Sequence, residues 1–350
     1  MTLLLALTLL QGAQPPKVPF APGVQVTYST AKPGEPDWES AITFISGDSS
    51  EAVLRDRWLR PGRAATGTAK WRTDQRPLSR RERRLAKSFY DFSVDDDTTT
   101  HRGFTWFMVS TAVLQGLKTA GRMEVIYQPS QNWAPVSGTL ERSGRTPEAY
   151  PVLLDGQRTT VAGIRARGRF PGRNGTIELD LLILDEPDSP WLLEATEGLA
   201  NQAQAPAKRQ VIRIATRAAK GVAEQLAADC RANVYDILFA TGSAELDTES
   251  SPALAQIATA LAANPAWRLT IVGHTDSIGT AASNLDLARR RAERVGSVLV
   301  TDFRVASARL ATESRGETQP LDDNGTPTGR ARNRRVELVR NCRSGGQEES

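Results

Sequence analysis

The stretch from Trp267 to Val295, WRLTIVGHTDSIGTAASNLDLARRRAERV, constrains this chain more than any other. It reads as a buried strand, a polar turn and then a long amphipathic helix. Leu269, Ile271 and Val272 supply the apolar strand, and the turn presents Thr275 and Asp276 at the strand's C-terminal end. Asn284 is expected to cap the helix, whose Ala288, Ala292, Val295 and Leu299 fall on one face. Arg291 then stands at the edge of the buried stripe. A carboxylate on a loop and a guanidinium on the next helix can grip a zwitterion, the first taking an ammonium and the second a carboxylate.

Further segments flank this one in a fixed order. DILFATGSAELD precedes it, LAQIATALAANP places Leu254, Ile257, Ala258 and Leu261 on one helical face before Asn264 and Pro265, and ARLATESRGETQP and NGTPTGRARNRRVEL follow. The reading is strand, helix, strand, helix and a closing strand RRVELV, an α/β sandwich with helices on one face. Together with its flanks, GHTDSIGTAASNLDLARRRAERV resembles the signature of the C-terminal domain of the outer-membrane protein A family, the OmpA-like domain, over about residues 231–342. The resemblance implies a mixed four-stranded sheet whose first strand and turn are DILFATGSAELD. It also implies non-covalent binding of peptidoglycan through the diaminopimelate side chain of the stem peptide, whose free end carries an ammonium and a carboxylate on one carbon. Carried over residue by residue, Asp276 and Arg291 become the primary ligand residues, and Thr275, Asn284 and Arg334 shape the pocket. The family often has Ser where this chain has Ala288, which removes a helix hydroxyl but touches neither charged partner.

The cysteines bear on the same domain. Cys230 and Cys342 lie at its two ends. If the first and last strands are antiparallel neighbours, as in the family's sheet, a Cys230–Cys342 disulfide would close the domain, worth roughly 4–5 kcal/mol in the chain-entropy model, and would imply the oxidising periplasm. The alternative is two free thiols. His274 is expected to hydrogen-bond within its turn, since His101 is the only other histidine. Two histidines and two distant cysteines give no metal-ligand spacing, so neither metal nor cofactor is expected. The arginine run from Arg330 to Arg335 lacks interleaved aromatics and leads into a strand, which argues against nucleic acid.

At 350 residues two or three domains are expected, and 39% hydrophobic with 24% charged residues is ordinary for a globular protein. The net charge of +4 would help approach to an anionic envelope polymer without identifying it. Residues 1–17 are expected to be a signal peptide and leader, with an apolar core from Leu3 to Leu10 but no preceding basic residue and no cysteine for a lipid anchor. Residues 206–230 read as linker and helix, and 343–350 as a disordered tail. No other apolar run is long enough to span a bilayer as a helix.

Residues 18–205 form a β-rich domain, a sandwich or curved sheet, giving an α+β chain overall. Its strands include VQVTYST, SAITFIS, EAVLRDRWL, FTWFMV, MEVIYQ, YPVLL, TVAGIRARGRF and TIELDLLILD, separated by turn signals, with a short helix at Ser110 to Gly121. Arg55, Asp56, Arg57, Arg165 and Arg167 interrupt the strands, and five tyrosines are too few for two aromatic girdles, so a periplasmic domain is expected ahead of a membrane barrel. No nucleophile–base arrangement stands out, so the chain is not expected to be an enzyme. The acidic run Asp95 to Asp97 lacks calcium-loop spacing. Two alternatives remain, an envelope enzyme localised by its C-terminal domain, with chemistry near Asp95 to Asp97 or His101, and a docking module for another envelope protein.

Overall fold

The computed structural model describes residues 16–31, 38–47, 51–58, 72–90, 103–129, 134–201, 206–216, 221–239, 242–246 and 250–342. The leader up to residue 15, Asp95 to Asp97, His101 and the tail from residue 343 lie outside the described residues.

The N-terminal part is a β-rich domain built on one large sheet. Its elements are β1 (Gln25–Ala31), β2 (Trp38–Gly47), β3 (Glu51–Trp58), β4 (Arg72–Ser79), α1 (Arg80–Leu85), β5 (Ser88–Tyr90), β6 (Phe104–Trp106), α2 (Thr111–Thr119) and β7 (Arg122–Tyr127). They continue with β8 (Val136–Arg142), β9 (Glu148–Leu154), β10 (Gln157–Gly172), β11 (Gly175–Leu184), β12 (Leu192–Leu199) and β13 (Ala207–Ala215). The strand order is β4-β3-β2-β1-β13-β12-β11-β10-β8-β7-β5-β6, and β9 pairs with both β10 and β13. Strands β9 to β13 therefore close into a ring from which two arms extend. The length of β10 permits this, since Gln157 to Gly163 pair with β9 while Gly163 to Gly172 pair with β11.

Alternation along β11 explains how both faces are filled. Ile177, Leu179, Leu181 and Ile183 join one apolar cluster, and Leu182 and Leu184 the other. Helix α2 covers the first cluster with Val113, Leu114 and Leu117, and starts where the Ser110 hydroxyl accepts from the Val113 amide. The expected curved sheet is thus present. The stretch 206–230 differs from the linker and helix expected of it. Ala207–Ala215 is a strand between β1 and β12, and only Val222–Asp229 is helical. Val211, Ile212 and Ile214 are buried there on both faces, so the stretch shows no period-2 alternation.

The C-terminal part comprises α3 (Val222–Asp229), β14 (Arg231–Val234), α4 (Ser251–Ala263), β15 (Leu269–His274), α5 (Ala281–Thr301), β16 (Leu310–Gly316), α6 (Pro327–Asn333) and β17 (Val336–Arg340). Its four strands run β14-β17-β15-β16, mixed because β15 and β16 are parallel and the other pairs antiparallel. One cluster joins Leu254, Ile257 and Leu261 of α4, Ala292, Val295 and Leu299 of α5, and Leu269, Ile271 and Leu338 of the sheet. The first strand is displaced from expectation. It is Arg231–Val234, upstream of DILFATGSAELD, because Val234 already pairs with Val336, the first residue of β17, and no ladder partner remains beyond it. Phe239 and Leu246 make only an isolated bridge.

Arg231 pairs with Val339, which brings the adjoining Cys230 and Cys342 together as a disulfide, with Cα atoms 6.1 Å apart. Among the described residues no helix is long and apolar enough to cross a membrane.

Candidate functional site

The loop after β15 and the face of α5 meet because two glycines allow it. A Cβ on Gly273 would overlap the carbonyl oxygen of Ala288, so α5 can lie directly on the end of β15. Gly316, at φ +50°, ends β16, and a Cβ there would stand 3.0 Å from the Leu285 amide. The cap of α5 is Thr280, not Asn284. Its hydroxyl accepts from the Ser283 amide at 3.2 Å, while Ser283 Oγ accepts from the Thr280 amide at 3.2 Å. This reciprocal box starts the helix before Asn284 is reached. Buried Asn284 instead uses Nδ2 to donate to the Asp276 carbonyl at 3.1 Å and to Glu317 Oε2 at 2.5 Å. It fixes the loop that carries the carboxylate.

Asp276, Arg291, Thr275, Asn284 and Arg334 all line one cavity of about 270 Å³. Asp276 is buried, its Oδ1 accepting from the Ile278 amide at 3.1 Å and its Oδ2 from Arg334 Nη1 at 2.6 Å. Arg291 is buried too, donating from Nε to the Ser243 carbonyl at 2.9 Å with its guanidinium over the Phe239 ring at 4.9 Å. Burial lowers the Arg291 pKa to about 10, with the nearby Arg334 charge acting in the same direction and Asp276 and Glu39 against it. It remains a cation at neutral pH. The buried Thr275 hydroxyl has no hydrogen-bond partner among the described residues. An unpaired buried hydroxyl costs roughly 1–3 kcal/mol, which a ligand atom could recover.

Trp38, Glu39 and Arg213 of this cavity's lining come from the N-terminal domain, and the two charged ones carry no mark in the sequence. Glu39, on β2, accepts at Oε1 from Arg334 Nη2 at 2.7 Å and at Oε2 from Arg213 Nη2 at 3.4 Å. Arg213, on β13, lies with its guanidinium 5.5 Å from the Tyr235 ring centroid. Burial pushes the Glu39 carboxyl up, but the charges of Arg213 and Arg334 outweigh it and hold it below the usual carboxylate range. Burial likewise lowers Arg334, and Glu39 and Asp276 together raise it above its ordinary value.

His274 also borders the cavity, and its partner lies across the sheet instead of in the turn. It faces Glu337 Oε2 at 3.1 Å, because the carboxylate of β17 stands beside the end of β15. The His274 bond, helped by Arg231 at 2.5 Å, lowers Glu337 to about 2. Burial lowers His274 against that bond and favours its neutral form, in which Nε2–H donates to Glu337. The arginine run is divided by α6. Arg332 pairs with Asp322, Arg334 enters the cavity, and Arg335 donates to Asn233 Oδ1 at 3.1 Å. Among the described residues no group of His, Cys, Asp and Glu could hold a metal ion.

A mixed sheet backed by helices, with carboxylates and guanidiniums converging at a strand end, defines a charged binding module. Residues 238–334 match the OmpA family, and the C-terminal domain of this chain belongs to that family. The chain is 42% identical over 102 residues to outer membrane porin F of Pseudomonas fluorescens, covering 29% of this chain and 31% of the porin. It is 40% identical over 105 residues to the peptidoglycan-binding protein ArfA of Mycobacterium bovis, covering 30% of this chain and 32% of ArfA. The chain thus spans about a third of the length of these curated relatives. The solved peptidoglycan-associated lipoprotein of Burkholderia pseudomallei is similar at 31% identity, over 30% of this chain and 87% of that one, with a TM-score of 0.28.

Proposed function

We propose that the C-terminal domain holds peptidoglycan non-covalently through the diaminopimelate end of the stem peptide and thereby ties an envelope protein to the cell wall. The observation that carries this reading is the convergence of Asp276, Arg291 and Arg334 with the unpartnered Thr275 hydroxyl on one small cavity. A relative named for peptidoglycan binding matches the same region of the chain.

In this reading Asp276 receives the ligand's ammonium and Arg291 its carboxylate. Asn284 holds the Asp276 loop, the Thr275 hydroxyl takes a further polar atom of the ligand, and Arg334 adds positive charge beside the carboxylate. The site binds without making or breaking bonds, in the periplasm on the wall side of the envelope. The N-terminal domain is the part to be tethered, and an envelope partner for it fits this role.

The test is co-sedimentation of the full chain with purified peptidoglycan sacculi, wild type beside Asp276→Asn and Arg291→Ala. Binding by wild type that both changes abolish is the expected result. Undiminished binding by both variants would refute the pocket, and absence of binding by folded wild type would refute the ligand. Amidation of the diaminopimelate carboxylate should weaken binding, because the guanidinium loses its anionic partner.

A further inference from the structure

Glu39 is an unusual member of the cavity. It lies 295 residues from Arg334 in the chain and belongs to a different domain. Its carboxylate nevertheless contacts Arg334 through both Nη2 at 2.7 Å and Nε at 3.3 Å. Both N–H groups share one oxygen, Oε1, while Oε2 accepts from Arg213, so the Glu39 carboxylate bridges the two guanidiniums. The backbone holds it there firmly. Glu39 sits in the ladder of β2 opposite Ser29 of β1, and β1 in turn pairs with β13, which carries Arg213. Glu39 therefore arrives on a strand paired within the N-terminal sheet.

The charges around the cavity make the consequence specific. Arg213 and Arg334 bond Glu39, and Arg291 acts on it electrostatically. On the negative side stand Asp276 and Glu39 itself. With the Glu39 carboxylate withdrawn, Asp276 would be the one carboxylate left in the lining against the guanidiniums of Arg213, Arg291, Arg334 and Arg335, an arrangement that favours another anion in a buried place. A ligand carboxylate entering the cavity meets Arg334 already engaged, and must compete with a group whose effective concentration is set by the fold.

We propose that Glu39 is a built-in competitor for the ligand's carboxylate, a specificity-determining residue lent by the N-terminal domain to the C-terminal pocket. The inference rests on the ligand reading given under Proposed function and adds to it the group that must be displaced. Ligands without a free carboxylate cannot displace it. Ligands with one pay for displacement, so the assembled chain binds more weakly than its pocket alone would allow. Movement of the N-terminal domain, or a partner that draws β2 away, would raise affinity without touching any ligand residue.

The test is calorimetric titration of the full chain with a stem-peptide fragment ending in diaminopimelate, and with the same fragment amidated at that terminal carboxylate. The chains are wild type, Glu39→Gln, Glu39→Ala and Asp276→Asn. If Glu39 occupies the pocket nine-tenths of the time, its removal tightens binding of the free-carboxylate fragment about tenfold. Binding of the amidated fragment should stay unchanged between wild type and Glu39→Gln. Glu39→Gln keeps the shape of the side chain, so it decides the matter should Glu39→Ala fail to fold. A gain confined to the free carboxylate supports the proposal. Equal affinity of wild type and Glu39→Gln, with Asp276→Asn inactive, overturns the competitor and leaves the ligand reading intact. Weaker binding by Glu39→Gln would make Glu39 a ligand contact and overturn it as well. If neither wild type nor Glu39→Gln binds either fragment, the ligand reading falls and takes this inference with it.

Discussion

Arg165 in the N-terminal sheet and Arg334 in the C-terminal domain are both surrounded by carboxylates, yet they are built differently. Arg165 meets Glu148 at 2.9 Å, Asp180 at 2.8 Å and Glu194 at 3.2 Å. All three come from β9, β11 and β12, members of the same ring of strands as β10. Strand register assembles that cluster within one sheet, although Arg165, Glu148 and Glu194 also line a larger cavity of about 910 Å³ shared with Asp322 and Arg332. Arg334 meets Asp276 at 2.6 Å and Glu39 at 2.7 Å, one from its own domain and one from the other. Its cluster encloses a cavity with an unpartnered hydroxyl. The number of ion pairs does not mark a binding site. What sets the Arg334 cluster of the proposed site apart is that its carboxylates come from two domains, so that one partner can be exchanged.

The comparison can be sharpened first at the level of stability. Replacing Cys230 and Cys342 by serine should cost the C-terminal domain roughly 4–5 kcal/mol in the chain-entropy model. Denaturant titration followed by probes in each domain should show the C-terminal transition shifted and the N-terminal one little changed. Next in size is binding. Asp276→Ala or Arg291→Ala should weaken attachment to sacculi by about 2–5 kcal/mol, because the opposite ligand charge is left unpaired. Arg165→Ala should leave attachment unchanged despite removing more ion pairs, and a loss there would break the distinction drawn above.

Gly273→Ala should destabilise the C-terminal domain by about 1–3 kcal/mol, read as a lower unfolding midpoint, since the added methyl must push α5 off β15. Thr275→Val should reduce sacculus binding by about 1 kcal/mol while leaving stability unreduced, because no described partner of the hydroxyl is lost. A pH-dependent effect belongs to Glu337. Its folded pKa of about 2 lies below the ordinary 4.5, so its contribution is complete above pH 4.5 and lost as pH falls toward 2. Unfolding midpoints measured through that window should fall more steeply in wild type than in Glu337→Gln.

Much of the C-terminal domain was legible because its signals are local. The apolar run of β15, the polar turn and the face of α5 lie within thirty residues, roughly, of one another, where periodicity can be read directly. The disulfide followed once the family sheet was assumed. The helix α6 escaped notice because it is a single short stretch, Pro327–Asn333, rich in arginine and capped by Thr326. In the N-terminal sheet, β4 was missed because RTDQRPLS is polar and contains Pro77, which suits the sheet edge where it lies. Glu39 and Arg213 could not have been found from spacing. Their relation to Arg334 exists only after two domains have folded and met, and neither residue interrupts its own strand in a way that calls for explanation.

The disulfide at the mouth of the C-terminal domain has a mechanical consequence. For a chain held at one end by the wall and at the other by its N-terminal sheet, tension travels along the backbone through α3 and reaches Cys230 before it reaches β14. At that point the force divides. One branch pulls on the hydrogen bonds between β14 and β17, which are broken one after another when a strand is peeled from its edge. The other branch crosses the sulfur bridge to Cys342 and enters β17, a strand flanked on both sides by neighbours. The bridge thereby diverts to β17 part of a load that would otherwise peel the edge strand β14.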